Sequence, residues 1–249
     1  MTSKKYVYAD LPRTGLCNML FPWARAVLYA RNHSLPLLAP EWVKLGRIGP
    51  WLRGERDKRY YFGQFTNEGY IRGLKKWWAL HFEKKKTVIV HGMGEYFKDL
   101  QGEHRFLLEE LLKIVSPNIR FALGQLPAKF IGVHIRRGDF TTIGLAQSMQ
   151  YYVRGIHKAR QIVGEEMPVL VFSDGYKDEL TPIVSHESVV LMPPGFALQD
   201  LLSLSKARVL VGTNNSTFSG WAAFLGQMPN VWEDGRGLAM IGLGESFYV

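Results

Sequence analysis

The sequence predicts an α/β protein: a parallel sheet covered by helices in its second half, preceded by a smaller strand–turn–helix lobe. Three observations predict it. Apolar runs without polar alternation, such as Val169-Leu170-Val171-Phe172-Ser173, have the pattern of strands buried on both faces. These runs alternate with helix-spaced segments through short links, as crossover connections require. The 249 residues are long for one ordinary domain and short for two full ones, and 47% are apolar, enough for a buried core.

Residues 5–9 are β-prone and run into a turn holding Pro12 and Gly15. Leu20, Trp23, Ala24, Val27 and Leu28 then recur at helical spacing. Residues 35–75 are rich in Gly, Pro and Arg and read as irregular. Residues 87–91 read as a strand ended by Gly92 and Gly94, and 106–115 as a helix stopped before Pro117. Residues 123–129, with Pro127, make the best boundary, dividing an N-terminal lobe, 1–125, from a C-terminal lobe, 126–249. In the latter, strands are expected at 130–135, 169–173, 188–192 and 209–212. Helices are expected at 151–163, 178–184, 197–205 and 216–225.

Charge is uneven. Residues 1–125 hold 21 Lys/Arg and 11 Asp/Glu, a net of +10, whereas residues 126–249 hold 10 and 11. Most of the excess lies between Lys44 and Lys86, with 12 basic and four acidic side chains, interleaved with Trp51, Tyr60, Tyr61, Tyr70, Trp77 and Trp78. Three readings are open: a solvated basic surface, contact with an anionic membrane, and nucleic-acid binding. The last lacks a recognised motif and is the least favoured. The single cysteine, Cys17, allows neither an internal disulfide nor a cysteine-based zinc site and suits a reducing compartment. No apolar stretch follows Lys4 and Lys5, and none approaches the roughly 18 residues of a spanning helix. The expectation is a soluble or peripheral protein of the cytoplasm, with no metal site.

The sharpest motif is His134-Ile135-Arg136-Arg137-Gly138-Asp139-Phe140, an apolar strand running into an imidazole, two guanidiniums and a carboxylate. Open α/β sheets bind ligands at the carboxyl ends of their strands, and a guanidinium fork suits a phosphate. Alternation sends His134 and Arg136 to one face and Arg137 to the other. The bland alternative is an Arg137–Asp139 salt bridge. A second motif, Asn214-Asn215-Ser216-Thr217-Phe218, ends another buried strand where a helix begins, and helix N-termini attract phosphates. An ordinary N-cap by Asn215 or Ser216 is equally open. A third, Phe172-Ser173-Asp174-Gly175, offers Asp174 to a ligand or a turn. A fourth is the turn at Gly15-Leu16-Cys17-Asn18, where small residues permit close approach to a ligand.

Taken in order, these motifs resemble the α-1,2-fucosyltransferases and their GDP-fucose-dependent relatives. Gly15-Leu16-Cys17-Asn18-Met19-Leu20-Phe21 resembles the family's Gly-Leu-Gly-Asn-x-Leu-Phe. The arginine motif resembles His-x-Arg-Arg-Gly-Asp-Tyr, and Asn215-Ser216-Thr217-Phe218-Ser219-Gly220-Trp221 resembles Asn-Ser-Thr-Phe-Ser-Trp-Trp. Cys17, Gly220 and Gly175 depart from the family's glycine, tryptophan and second aspartate.

The resemblance implies a GT-B-like fold of two Rossmann-like lobes, an acceptor lobe first and a nucleotide-sugar lobe second. It implies inverting transfer of fucose or a related 6-deoxyhexose from GDP to a glycan hydroxyl, with no metal and no cofactor besides the donor substrate. Arg136 would hold the diphosphate, His134 the guanine or ribose, and Asp200 the guanine, with Ser216 and Thr217 finishing the phosphate site. Gly15, Asn18, Asp174 and Asn215 complete the expected donor contacts. Asp139 is the first candidate for the base; Glu95 and Asp10 are others. The acceptor would be a polysaccharide or surface glycan, lipid-linked if the basic lobe meets the inner face of a membrane. Two alternatives keep other possibilities open: the same fold with another nucleotide-sugar donor, or a silent glycan- or nucleic-acid-binding module.

Overall fold

The computed structural model describes residues 3–43, 61–164, 166–185, 188–233 and 243–249. Much of the basic segment that opens at Lys44 therefore lies outside the described residues. The described residues divide into two compact units, one holding those up to Pro117 and the other those from Asn118 onward.

In the first unit β1 (Tyr6–Ala9) lies between β2 (Leu37–Leu38) and β3 (Thr87–Val90), all parallel, with Val7 opposite Leu37 and Val88. Helix Leu16–His33 follows β1 and packs back on the sheet. The residues that set its spacing, Leu20, Trp23, Ala24 and Val27, are buried. Arg31 forks onto Glu103 at 2.7 and 2.6 Å, and Arg25 bonds Asp99, which ties this helix to the chain ahead of helix His104–Ile114.

The second unit is a six-stranded parallel sheet. Its strands are β4 (Ile131–Ile135), β5 (Val169–Ser173), β6 (Val189–Leu191), β7 (Val209–Val211), β8 (Asn230–Trp232) and β9 (Ser246–Tyr248), in the order β6-β5-β4-β7-β8-β9. The chain builds outward from β4 to β6, then returns to place β7 on the other side of β4. Strand order reverses between β4 and β7, which is the switch point where doubly wound sheets bind nucleotides. On one face, Ile131, Val133 and Ile135 pack with Val171, Val211 and Tyr151 of helix Met149–Val163. On the other, helices Ala197–Leu204 and Thr217–Gly226 pack together, the former over β4. Gly132 makes that approach possible, because a Cβ there would lie 2.9 Å from the Cβ of Ala207.

The expected strands and helices are present, with ends within two residues of expectation. Sequence patterning misses β8, β9 and the helices Gly73–His81, Pro117–Gly124 and Gly138–Thr142. Residues 35–75 are not wholly irregular: they contain β2 and the start of helix Gly73–His81.

Candidate functional site

The carboxyl ends of β4, β5 and β7 bring the arginine, aspartate and serine motifs together. Register explains how. Ile135 pairs with Ser173, so the next residues, Arg136 and Asp174, leave the sheet side by side. Arg136 Nη1 lies 2.9 Å from Asp174 Oδ2, and Nη2 and Nε lie 2.9 and 3.0 Å from Asp139 Oδ1. The bland alternative, an Arg137–Asp139 salt bridge, is therefore corrected: Arg136 takes Asp139. Arg137 turns to the opposite face, as alternation requires. Its backbone N–H donates to Asp174 Oδ1 at 2.7 Å and its Nη1 to the Gln147 carbonyl at 3.3 Å. Asp174 thus holds two consecutive residues of the motif. Arg136 remains partly open to solvent, at 19% side-chain exposure.

Thr213, which sequence reasoning did not single out, locks β7 to β4. Fully buried, its hydroxyl donates to the His134 carbonyl at 2.8 Å, accepts from the Arg136 N–H at 3.0 Å and meets Tyr152 Oη at 2.8 Å. Ser219 is the second residue missed. Its Oγ accepts from the Thr213 N–H at 2.9 Å and lies 2.7 Å from His134 Nδ1. We assign the hydroxyl proton to that contact, which puts the ring proton of neutral His134 on Nε2. The ring also stacks on Phe218, centroids 4.8 Å apart. Such partners become visible only when strand register and helix phase are known.

Burial, reinforced by the nearby Arg136 charge, lowers the pKa of His134 to about 3. In the unfolded chain an ordinary histidine takes up a proton below about 6.5. Between those values the unfolded state binds more protons, so stability rises with pH. Acidification from pH 6.5 toward 3 is expected to cost up to about 1.4 kcal/mol per pH unit at this group. Denaturant melts of the wild type and a folded His134→Gln variant across this window check it, the variant giving the shallower slope.

The serine motif starts helix Thr217–Gly226 at the same edge. Asn215 holds the turn at φ 59°, a left-handed conformation that asparagine tolerates. Ser216 occupies the N-cap position, but its hydroxyl caps no helix N–H. Asn214 is buried and structural: it accepts from the Glu233 N–H and donates to the Glu233 carbonyl, fastening β7 to the end of β8. Asp200 lies in the first turn of helix Ala197–Leu204, which also starts at the carboxyl edge.

In the first unit Gly15 is the N-cap of helix Leu16–His33, with open space where a side chain would stand, and Asn18 lies in the first turn. Cys17, where the family has glycine, is buried in the core of this unit. Asp10 follows β1, and the exposed Glu95 pairs with Lys98 at 2.6 Å.

A guanidinium and a helix N-terminus at the switch point of a doubly wound sheet are the features by which such sheets bind nucleotides. The chain belongs to glycosyl transferase family 11, which it matches over residues 55–231, and is a glycosyltransferase. No curated protein matches it by sequence. Among solved structures it is similar to NodZ α-1,6-fucosyltransferase co-crystallized with GDP, at 15% identity and TM-score 0.58, covering 90% of this chain and 93% of that one. NodZ from Bradyrhizobium gives 15% and 0.57, covering 90% and 94%. POFUT1 in complex with GDP gives 14% and 0.58, covering 100% and 99%. These likenesses place the chain's α/β architecture in the GT-B-like class.

Proposed function

We propose that the protein transfers fucose, or a related 6-deoxyhexose, from GDP to a glycan hydroxyl, inverting C1 and using no metal ion. The observation that carries this reading is Arg136 at the carboxyl end of β4, at the switch point, with its N–H on Thr213, four residues ahead of helix Thr217–Gly226 on the β7 side. The acceptor oxygen forms its bond to C1 as the C1–O bond to phosphate breaks, and the bonding pair leaves with GDP. Negative charge builds on the diphosphate. Arg136 and the helix N–H groups meet it with fixed positive charge, the role a cation would otherwise take. Ser216 and Thr217 add hydroxyls, and Asp200 and the Nε2–H of His134 hold the guanosine.

The acceptor proton needs a base. Asp139 is the carboxylate nearest the guanidinium, and its Oδ1 contacts favour a second role, positioning Arg136. Glu95 and Asp10 are the other base candidates. The α-1,2 linkage follows from resemblance of the motifs, and linkage analysis of the product tests it. Incubation with GDP-fucose, GDP-mannose and UDP-glucose tests the donor. Release of GDP from GDP-fucose, increased by glycan acceptors, is expected; release from UDP-glucose alone would overturn the reading.

Gly138 gives the site a sharper test. A Cβ at Gly138 would lie 2.4 Å from Asp174 Oδ2, the atom that holds Arg136. Alanine there must turn Asp174 aside and release both arginine contacts. Gly138→Ala is expected to weaken GDP binding about tenfold, roughly 1.4 kcal/mol, measured by calorimetry.

A further inference from the structure

Helix Gly73–His81 is built inside out. Leu74, Trp77, Trp78 and Phe82, spaced as one helical stripe, are 85, 49, 54 and 62% exposed, whereas Ala79 on the other side is buried. The aromatic rings support one another: Trp78 and Phe82 lie 4.4 Å apart, and Trp77 stacks on His81 at 4.7 Å. The short 3-10 turn Lys84–Lys86 follows, and Lys4 donates to the Lys85 carbonyl at 2.9 Å, adding its charge to the same edge. Lys75, Lys84 and Lys85 are exposed and pair with no carboxylate among the described residues. Lys76 does not share this role: it lies over Tyr8 and pairs with Glu41 at 3.3 Å.

We propose that this face docks on an anionic phospholipid bilayer. Tryptophan and phenylalanine on an exposed helix stripe suit the headgroup boundary, and a lysine rim suits anionic lipid. The same rim disfavours a second copy of the chain, because two copies of this face carry the same positive charge and repel. The proposal stands apart from the donor site, since none of these residues belongs to it.

The test is sedimentation with phosphatidylcholine vesicles, with and without phosphatidylglycerol. Wild-type protein is expected to bind the anionic vesicles, and 1 M salt to weaken that binding. Lys84→Glu with Lys85→Glu is expected to lower partitioning at low salt by roughly thirtyfold or more. Trp77→Ser with Trp78→Ser is expected to lower it at least about tenfold. Both variants are expected to melt like the wild type, since the changed residues are exposed. Equal binding to neutral vesicles, or unchanged binding by both variants, would overturn the proposal. So would a wild-type dimer, seen by light scattering, that the tryptophan variant dissolves.

Discussion

Arg136→Ala is expected to weaken GDP binding about a hundredfold, roughly 2.7 kcal/mol, and to lower turnover further. The binding loss follows from one charge-assisted guanidinium–phosphate fork, at about 1.5–3 kcal/mol per hydrogen bond to a charged group. The turnover loss follows because the leaving diphosphate gains charge in the transition state, so the arginine acts more strongly there than on the bound donor. A second consequence distinguishes this site from an isolated surface arginine. With the guanidinium gone, Asp139 and Asp174 lose the cation they share. Arg136→Ala is therefore expected to be less stable than wild type as well. Arg136→Lys restores the charge without the fork and is expected to recover stability better than affinity. Calorimetry and thermal melts on the three proteins separate these effects.

Thr213→Val is expected to destabilise the second unit by about 3 kcal/mol, although the two side chains are nearly the same size. The loss is chemical. One buried hydroxyl serves the His134 carbonyl, the Arg136 N–H and the Tyr152 hydroxyl, and valine leaves all three without it. At about 1–3 kcal/mol for each unsatisfied buried group, partial relaxation brings the sum to this figure. The contacts flank Ile135, so the arginine motif is expected to shift with them and donor affinity to fall. Urea melts give the first number. Thr213→Ser, which keeps the hydroxyl, is expected to recover most of both losses.

The parts of the fold legible in the sequence are those where one pattern dominates. The strands β4, β5 and β7 are buried throughout or nearly so, and their uninterrupted apolar runs announce it. β8 and β9 are as short as β7 but begin with Asn230 and Ser246, so no uninterrupted apolar run marks them. Helix Gly73–His81 was hidden because it is only nine residues long and opens among Arg72, Gly73, Lys75 and Lys76. In the site, His134, Arg136, Asp174 and the serine motif were legible as strand ends followed by polar residues. Their partners were not. Ser219 meets His134 across 85 positions, and Asp174 meets Arg136 only through the β4–β5 register. Gly175 gains a reason from the structure as well: a Cβ there would lie 3.0 Å from Arg137 Cγ, so an aspartate would crowd that arginine.

The proposed function rests on a guanine nucleotide diphosphate site, built on Arg136 and helix Thr217–Gly226 and needing no metal. Calorimetric titration of the wild-type protein with GDP, UDP and ADP in the presence of a chelator tests it most directly. Saturable GDP binding is expected, at least tenfold tighter than UDP or ADP and unaffected by the chelator. Equal affinity for the three nucleotides, or GDP binding that vanishes with the chelator, would contradict it.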